Sequence, residues 1–207
     1  MVVEVNHDPP KTLLSLDKNG VVVVMEKITL TKIGPFKDDW AVVYIDPNNS
    51  YSAGGGRITV VTGDYVGSAF FSHVGQPTFK EFIAQCDSDY LIRKLFKVDQ
   101  WIPVENGEEF IEYVARERLD AIKEHRSSGT VTKAALRELY DQLKSCEFTS
   151  TSHLYDILYK TERETIESLF GDDWWFELNP CKINRCYTFL DSIISSVILE
   201  FKDMKVA

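Results

Sequence analysis

Residues 57–71 read RITVVTGDYVGSAFF, and this stretch decides the fold. Two runs rich in β-branched and aromatic residues flank a Gly-Asp pair, which is typical of two strands joined by a tight turn. Similar runs precede them, VVVVMEKITL at 21–30 and WAVVYID at 40–46. Because their connections are too short for parallel crossovers, residues 21–72 are predicted to form one antiparallel sheet of about four strands.

Three consecutive glycines, Gly54, Gly55 and Gly56, stand before the third of these strands. A phosphate-binding P-loop has the opposite order, because its glycines follow a strand and lead through Lys-Ser/Thr into a helix. Here Arg57 and a strand follow instead. The order favours a hairpin turn or a loop tip, where glycine tolerates positive φ.

From residue 77 onward the apolar residues recur three and four apart, which predicts helices. The expected fold is therefore α+β: the sheet at 21–72, then a mostly helical half at 77–207 with five to six helices that cover one sheet face. Residues 21–207 are predicted to form a single domain, and residues 1–20 an irregular tail. In the first two helices, the residues expected to press on the sheet are Phe79, Phe82, Ile83, Leu91 and Leu95.

Composition limits the class of protein. The chain has 207 residues and a net charge of −9, and its 44% hydrophobic content excludes wholesale disorder. It has no apolar run long enough to be a candidate membrane span. The start, MVVEVNHDPP, lacks the features of a signal peptide, so we expect a cytoplasmic protein. The acidic balance disfavours nucleic acid as the principal partner.

Residues with catalytic or metal-binding chemistry are scattered. The four cysteines, Cys86, Cys146, Cys181 and Cys186, form no C-x-x-C pair, so neither a metal site nor a cofactor is predicted. If Ser72 and His73 lie on a strand, they point to opposite faces and cannot act as nucleophile and base.

Paired carboxylates occur twice, at 38–39 and 172–173, in turn-like contexts that favour solvated loop acids over a metal site. No catalytic constellation is found, and a non-enzymatic protein is expected.

Three successive aromatic residues, Trp174, Trp175 and Phe176, cannot all face one core. Either at least one points outward as an interface anchor, or the run wedges the helical half onto the sheet. A second candidate surface is a small basic edge made of Arg57, Arg93, Lys94 and Lys97, beside aromatic residues on which bases could stack.

Residues 54–95 resemble a loose group of uncharacterised accessory proteins of tailed bacteriophages and prophages. The shared pattern is a glycine-rich turn, a GRIT-like strand, an aromatic strand, a glycine, and then F..F, D.DY and KL. The matching residues are Gly56, Arg57, Ile58, Thr59, Gly75, Phe79, Phe82, Asp87, Asp89, Tyr90, Lys94 and Leu95. The resemblance implies a small phage protein expressed in the cytoplasm of a bacterial host cell.

Two functions are therefore carried forward. The first is a non-enzymatic phage accessory protein that binds and inhibits or redirects a host bacterial protein, with a defence system as one candidate target. The alternative is a nucleic-acid-associated accessory factor that uses the basic edge. The sequence leaves the oligomeric state and the identity of the partner open.

Overall fold

The structure of the chain is a computed structural model that describes residues 8–16, 22–46, 55–160 and 163–204. Its strands and helices, in chain order, have the following bounds. The strands are β1 (Asp8–Leu16), β2 (Val22–Ile33), β3 (Asp39–Asp46), β4 (Gly56–Thr62), β5 (Tyr65–Phe71), β6 (Trp101–Pro103) and β7 (Cys181–Ile183). The helices are α1 (Phe79–Gln85), α2 (Ser88–Leu95), α3 (Gly107–Glu117), α4 (Leu119–Ser128), α5 (Lys133–Leu143), α6 (Thr151–Lys160), α7 (Arg163–Phe170), α8 (Trp174–Glu177) and α9 (Arg185–Met204).

The chain divides into two compact units rather than the single domain that the sequence predicted. Unit 1 contains the described residues up to Gln100 together with those from Arg185 onward, and unit 2 is Trp101–Asn184. Helical periodicity shows that a helix has an apolar face but not what that face packs against. Here α3 to α8 bury their apolar faces on one another and form a core of their own.

Unit 1 contains the predicted antiparallel sheet, so the α+β class is confirmed. The strand order is β1-β2-β3-β4-β5, and each strand pairs with the next along the chain. The four predicted strands are β2 to β5, and β1 adds a fifth within the segment that was expected to be an irregular tail. Pro9 and Pro10 led to that error, but proline is tolerated on an edge strand, where its missing N–H breaks no ladder.

One face of this sheet is covered by α1, α2 and α9. Of the five residues expected to press on the sheet, Phe79, Ile83, Leu91 and Leu95 are buried, and Phe82 is half-buried against the same core. The helices α3 to α8 belong to unit 2. The covering layer is completed by the last helix, which returns to the sheet from the far end of the chain.

Gly56 is the first residue of β4 rather than part of a turn, and its need for glycine comes from close packing. A Cβ atom at this position would lie 2.7 Å from the Phe79 ring and 2.8 Å from the Asp46 carbonyl oxygen. Both distances are too short for a carbon contact, so glycine lets α1 pack directly on the strand. Gly54 lies outside the described residues.

Unit 2 is built from helices whose starts follow the sequence signals. Asn106 and Thr132 cap α3 and α5, and their side chains accept hydrogen bonds from the N–H groups of Glu109 and Ala135. The helical stretch that begins after Asn106 is broken at Arg118, whose backbone leaves the helical region at φ −124° and ψ 17°. Such breaks and the short α8 give nine helical segments in the described ranges, against five to six expected.

Candidate interaction surface

The successive aromatic residues of unit 2 lie on α8, a single helical turn. Trp174 is 1% exposed and packs in the core, whereas Trp175 is 38% exposed and Phe176 is 82% exposed. Helical neighbours are rotated by 100° from one another, so three successive side chains span about 200° around the helix and cannot all face one core. We call the exposed pair, Trp175 and Phe176, the aromatic corner.

The aromatic corner is held on a fixed base. Gly171 ends α7 in the left-handed region at φ +92°, and the Trp174 N–H donates to its carbonyl oxygen at 3.3 Å. The Trp174 ring meets the Tyr155 ring edge to face at 5.7 Å between centroids. Leu178, which is buried, closes the turn by donating its N–H to the Trp174 carbonyl oxygen at 2.8 Å. The corner is therefore presented on hydrogen-bonded backbone rather than on a free loop.

Trp174 and the two rings of the corner form a short row, from the buried ring to the most exposed one. The Trp174 and Trp175 centroids are 5.8 Å apart, as are those of Trp175 and Phe176. Asp172 and Asp173, both exposed, directly precede the row in a turn. Their exposure is what the sequence predicts for solvated loop acids. An apolar edge flanked by negative charge is the result.

The charge of unit 2 extends this pattern. Residues 101–184 carry 17 Asp or Glu against 10 Lys or Arg, whereas the rest of the chain carries 15 against 13. Most of the net charge of −9 therefore belongs to unit 2. The aromatic corner lies on the more acidic of the two units.

The four residues of the proposed basic edge belong to unit 1, but they do not form one surface. Arg57 lies between Gly56 and Ile58, which are buried beneath the helices, so strand alternation directs it to the opposite sheet face. Arg93 and Lys94 lie on α2, within the layer that covers the first face. Lys97 follows α2 and is exposed.

The two cations on α2 also have partners within their own helix. Arg93 Nε lies 3.0 Å from Asp89 Oδ1, and this hydrogen bond raises the pKa of Arg93. The Tyr187 hydroxyl donates to the same Asp89 oxygen at 2.9 Å, and this hydrogen bond lowers the pKa of the Asp89 carboxyl. The hydrogen bond from Arg93 lowers it further. Lys94 Nζ lies 5.8 Å from the Tyr90 ring centroid. Arg93 and Lys94 therefore each interact with a side chain of their own helix.

Ser72 and His73 contact each other, contrary to the expectation from strand alternation. β5 ends at Phe71, so the alternation does not reach them, and Ser72 Oγ lies 3.0 Å from His73 Nδ1. Among the described side chains no carboxylate is hydrogen bonded to His73, so the group that would orient a catalytic base is not supplied there.

The other paired carboxylates line a cavity of about 450 Å³ in unit 1. Asp38 and Asp39 share it with Arg185 and Phe189. In the described part of the chain, no group of three or more His, Cys, Asp or Glu side chains could hold a metal ion.

Unit 2 has a smaller cavity, of about 190 Å³. It is lined by apolar side chains from α3, α4, α5 and α7, including Ile111, Ile122 and Leu136. Tyr140 is the one residue of this lining with a polar side-chain atom, so the cavity offers little that could orient a substrate.

The comparisons with known proteins give a single result. A family model described as a phage family matches residues 23–203. No characterised protein and no solved structure matches the chain. No helix in the described ranges is long and apolar enough to cross a membrane.

Proposed function

The chain belongs to this phage protein family, and from that premise we propose that it is a non-enzymatic accessory protein that binds a host bacterial protein and inhibits or redirects it. The observation that carries the proposal is the aromatic corner on α8. Phe176 is 82% exposed and directly follows a partly exposed tryptophan. Large exposed aromatic side chains are costly in water unless a partner covers them, and they are favoured anchors of protein interfaces.

The fixed base of the corner favours binding. α8 is closed by its own backbone hydrogen bonds and is anchored by Trp174, so little backbone freedom is lost when a partner binds. A rigid aromatic pair fits an apolar pocket, and truncation of such an anchor costs about 2 kcal/mol or more.

The charge around the corner suggests the chemistry of the partner. Asp172 and Asp173 precede the aromatic pair, and unit 2 as a whole is acidic. The complementary surface is an apolar pocket rimmed by Lys or Arg. Host defence proteins with such a pocket are the first class in which to look for the partner.

A protein partner has better support than the alternative of nucleic acid. Single-stranded nucleic acid needs a continuous basic groove with stacking rings. Arg57 lies on the sheet face opposite the helices, and Arg93 is paired with Asp89. The aromatic corner is flanked by carboxylates, which repel phosphate.

The test compares the wild-type chain with a corner variant as bait. The variant Trp175→Ala/Phe176→Ala removes the corner and leaves Trp174 in the core. Phe36→Ala is the matched control, because Phe36 is 85% exposed but lies in unit 1. Each purified protein is immobilised and exposed to host lysate, and the retained proteins are quantified by mass spectrometry.

We expect one host protein to be retained by the wild type and by Phe36→Ala, and to be reduced about 30-fold or more with the corner variant. Equal retention by all three baits would show that the corner does not bind. Mobility shifts of DNA or RNA at micromolar protein would favour the nucleic-acid alternative.

A further inference from the structure

The two edges of the sheet in unit 1 differ in how they are protected. Natural edge strands carry charges, prolines or bulges that prevent another strand from adding to them. β1 has Pro9, Pro10 and Lys11, and its pairing with β2 is irregular between Asp8 and Lys11. β5, at the opposite end of the sheet, reads YVGSAFF and has neither a charged residue nor a proline. The β5 edge therefore lacks these sequence features that block pairing.

The hairpin that leads into β5 shows which backbone groups face this edge. Its two-residue loop begins with Gly63 at φ +51°, and the pair Thr62–Tyr65 closes it. In such hairpins the closing pair is hydrogen bonded, and bonded pairs then alternate with non-bonded pairs along the ladder. The N–H and C=O groups of Val66 and Ser68 therefore point away from β4. Among the described residues, no strand pairs with β5 on that side.

The side chains at these positions are also accessible. Val66 is 67% exposed, and Ser68 is exposed with its hydroxyl hydrogen bonded to Thr59 at 2.9 Å. A β-branched residue and a small polar residue are compatible with a further strand beside them.

We propose that two copies of the chain associate through β5, with the two strands antiparallel about a two-fold axis. Identical strands that pair symmetrically must be antiparallel, and the register that pairs all of Tyr65–Phe71 with itself is centred on Ser68. Ser68 then lies opposite Ser68 of the second copy, in a hydrogen-bonded pair. No charged side chain of β5 faces another in this register.

The exposed side chains of β5 favour a second copy as the occupant of this edge. In this register Val66 of one copy lies opposite Phe70 of the other, and these side chains are 67% and 44% exposed, so pairing covers apolar surface on both copies. A contact limited to one seven-residue strand is small, so the dimer is weak, with a dissociation constant on the order of 10–100 µM.

The test uses a charge swap at the centre of the register. Ser68→Lys and Ser68→Glu each place like charges directly opposite one another, whereas a mixture of the two variants places opposite charges there. Phe36→Lys is the control, because it adds the same charge at an exposed position of unit 1 outside β5. Each full-length protein, and the equimolar mixture, is measured by sedimentation velocity from about 5 to about 500 µM, a range that brackets the expected dissociation constant.

We expect the wild type and Phe36→Lys to dimerise over this range. Each Ser68 variant alone should dimerise at least tenfold more weakly, and the mixture should recover dimers. A wild type that stays monomeric throughout would overturn the proposal. So would a wild-type dimer that is insensitive to both Ser68 variants, or variants that do not associate when mixed.

Hydrogen exchange of the wild type gives a second measurement that needs no variant. The amides of Val66 and Ser68 should exchange more slowly as the protein concentration rises through the dimerisation range. Exchange at these two amides that does not depend on concentration would refute pairing at this edge even if the Ser68 variants failed to fold.

Discussion

Gly107 offers a sharp test of how the core of unit 2 is packed. It is the first residue of α3, and a Cβ atom there would lie 2.5 Å from the carbonyl carbon of Leu143 and closer still to its oxygen. The obstacle is backbone at the end of α5, which cannot rotate away as a side chain could. Relief requires the two helix ends to separate, and this strains the bond from the Gly107 N–H to the Cys146 carbonyl oxygen, now 2.8 Å.

The expected cost of Gly107→Ala follows from these contacts. Overpacking of a filled core costs about 1–3 kcal/mol, and a weakened backbone hydrogen bond adds about 1 kcal/mol. The smaller entropy of the unfolded alanine chain offsets up to about 1 kcal/mol. The net loss is therefore about 2 kcal/mol, which would lower the unfolding midpoint of a unit of this size by about 8–16 °C.

The assay is thermal unfolding followed by tryptophan fluorescence in a Trp40→Phe background. The remaining tryptophans, at positions 101, 174 and 175, then all report on unit 2. Glu108→Ala is the matched control, since Glu108 is exposed in the same helical turn, and it should change stability by less than about 1 kcal/mol. If Gly107→Ala unfolds within about 3 °C of the control, α3 and α5 do not approach as described.

Three further predictions concern unit 1. Phe82→Asp should lower the free energy of unfolding by about 2 kcal/mol, because half-buried ring contacts are lost beside the sheet; an unchanged urea midpoint would contradict this. Iodoacetamide at pH 8 should modify the exposed Cys186 well before Cys86, because burial raises the pKa of the Cys86 thiol to about 11; equal rates by mass spectrometry would contradict it. Tyr187→Phe should raise the pKa of Asp89 in an NMR titration, because the hydrogen bond from Tyr187 lowers it. The stability that a lowered folded-state pKa contributes is present at neutral pH and is lost as the pH falls through the folded-state pKa of Asp89. The difference in stability between the variant and the wild type should therefore shrink in acid, and a difference that does not change with pH would contradict this.

The sheet and the first two helices could be predicted because their signals are local. Gly63 followed by Asp64 marks the tight turn between β4 and β5, and Thr78 and Asp87 cap α1 and α2. Turn residues and helix caps depend only on residues a few positions away, so they can be recognised from the sequence alone. The match of the family model over residues 23–203 confirms the resemblance to phage proteins first noted at 54–95.

What could not be predicted depends on contacts between residues far apart in the chain. Nothing local to α9 shows that it completes the layer over the sheet, or that α3 to α8 form a separate core. Gly56 belongs to the glycine run that predicted a turn, but Gly56 and Gly107 are both glycine because another element packs against them. The spacing of the four residues of the basic edge does not show which face each one lies on, and Arg57 lies on the sheet face opposite the α2 layer.

The aromatic run was predicted in part. Helical or extended geometry alone requires that Trp174, Trp175 and Phe176 not all be buried together. Which residue is inside depends on where Tyr155 and Leu178 lie, and that is known only once unit 2 is folded.

The most direct test of the proposed function is site-specific photo-crosslinking in living host cells during infection. A benzophenone amino acid is placed at residue 176 in one strain and at residue 36 in another, positions that are 82% and 85% exposed. If the aromatic corner binds a host protein, irradiation should give a discrete adduct from residue 176 that residue 36 does not give. The adduct should disappear when Trp175→Ala is added. The absence of any adduct at residue 176, or the same adducts from both positions, would contradict the proposal that this corner recognises a host protein.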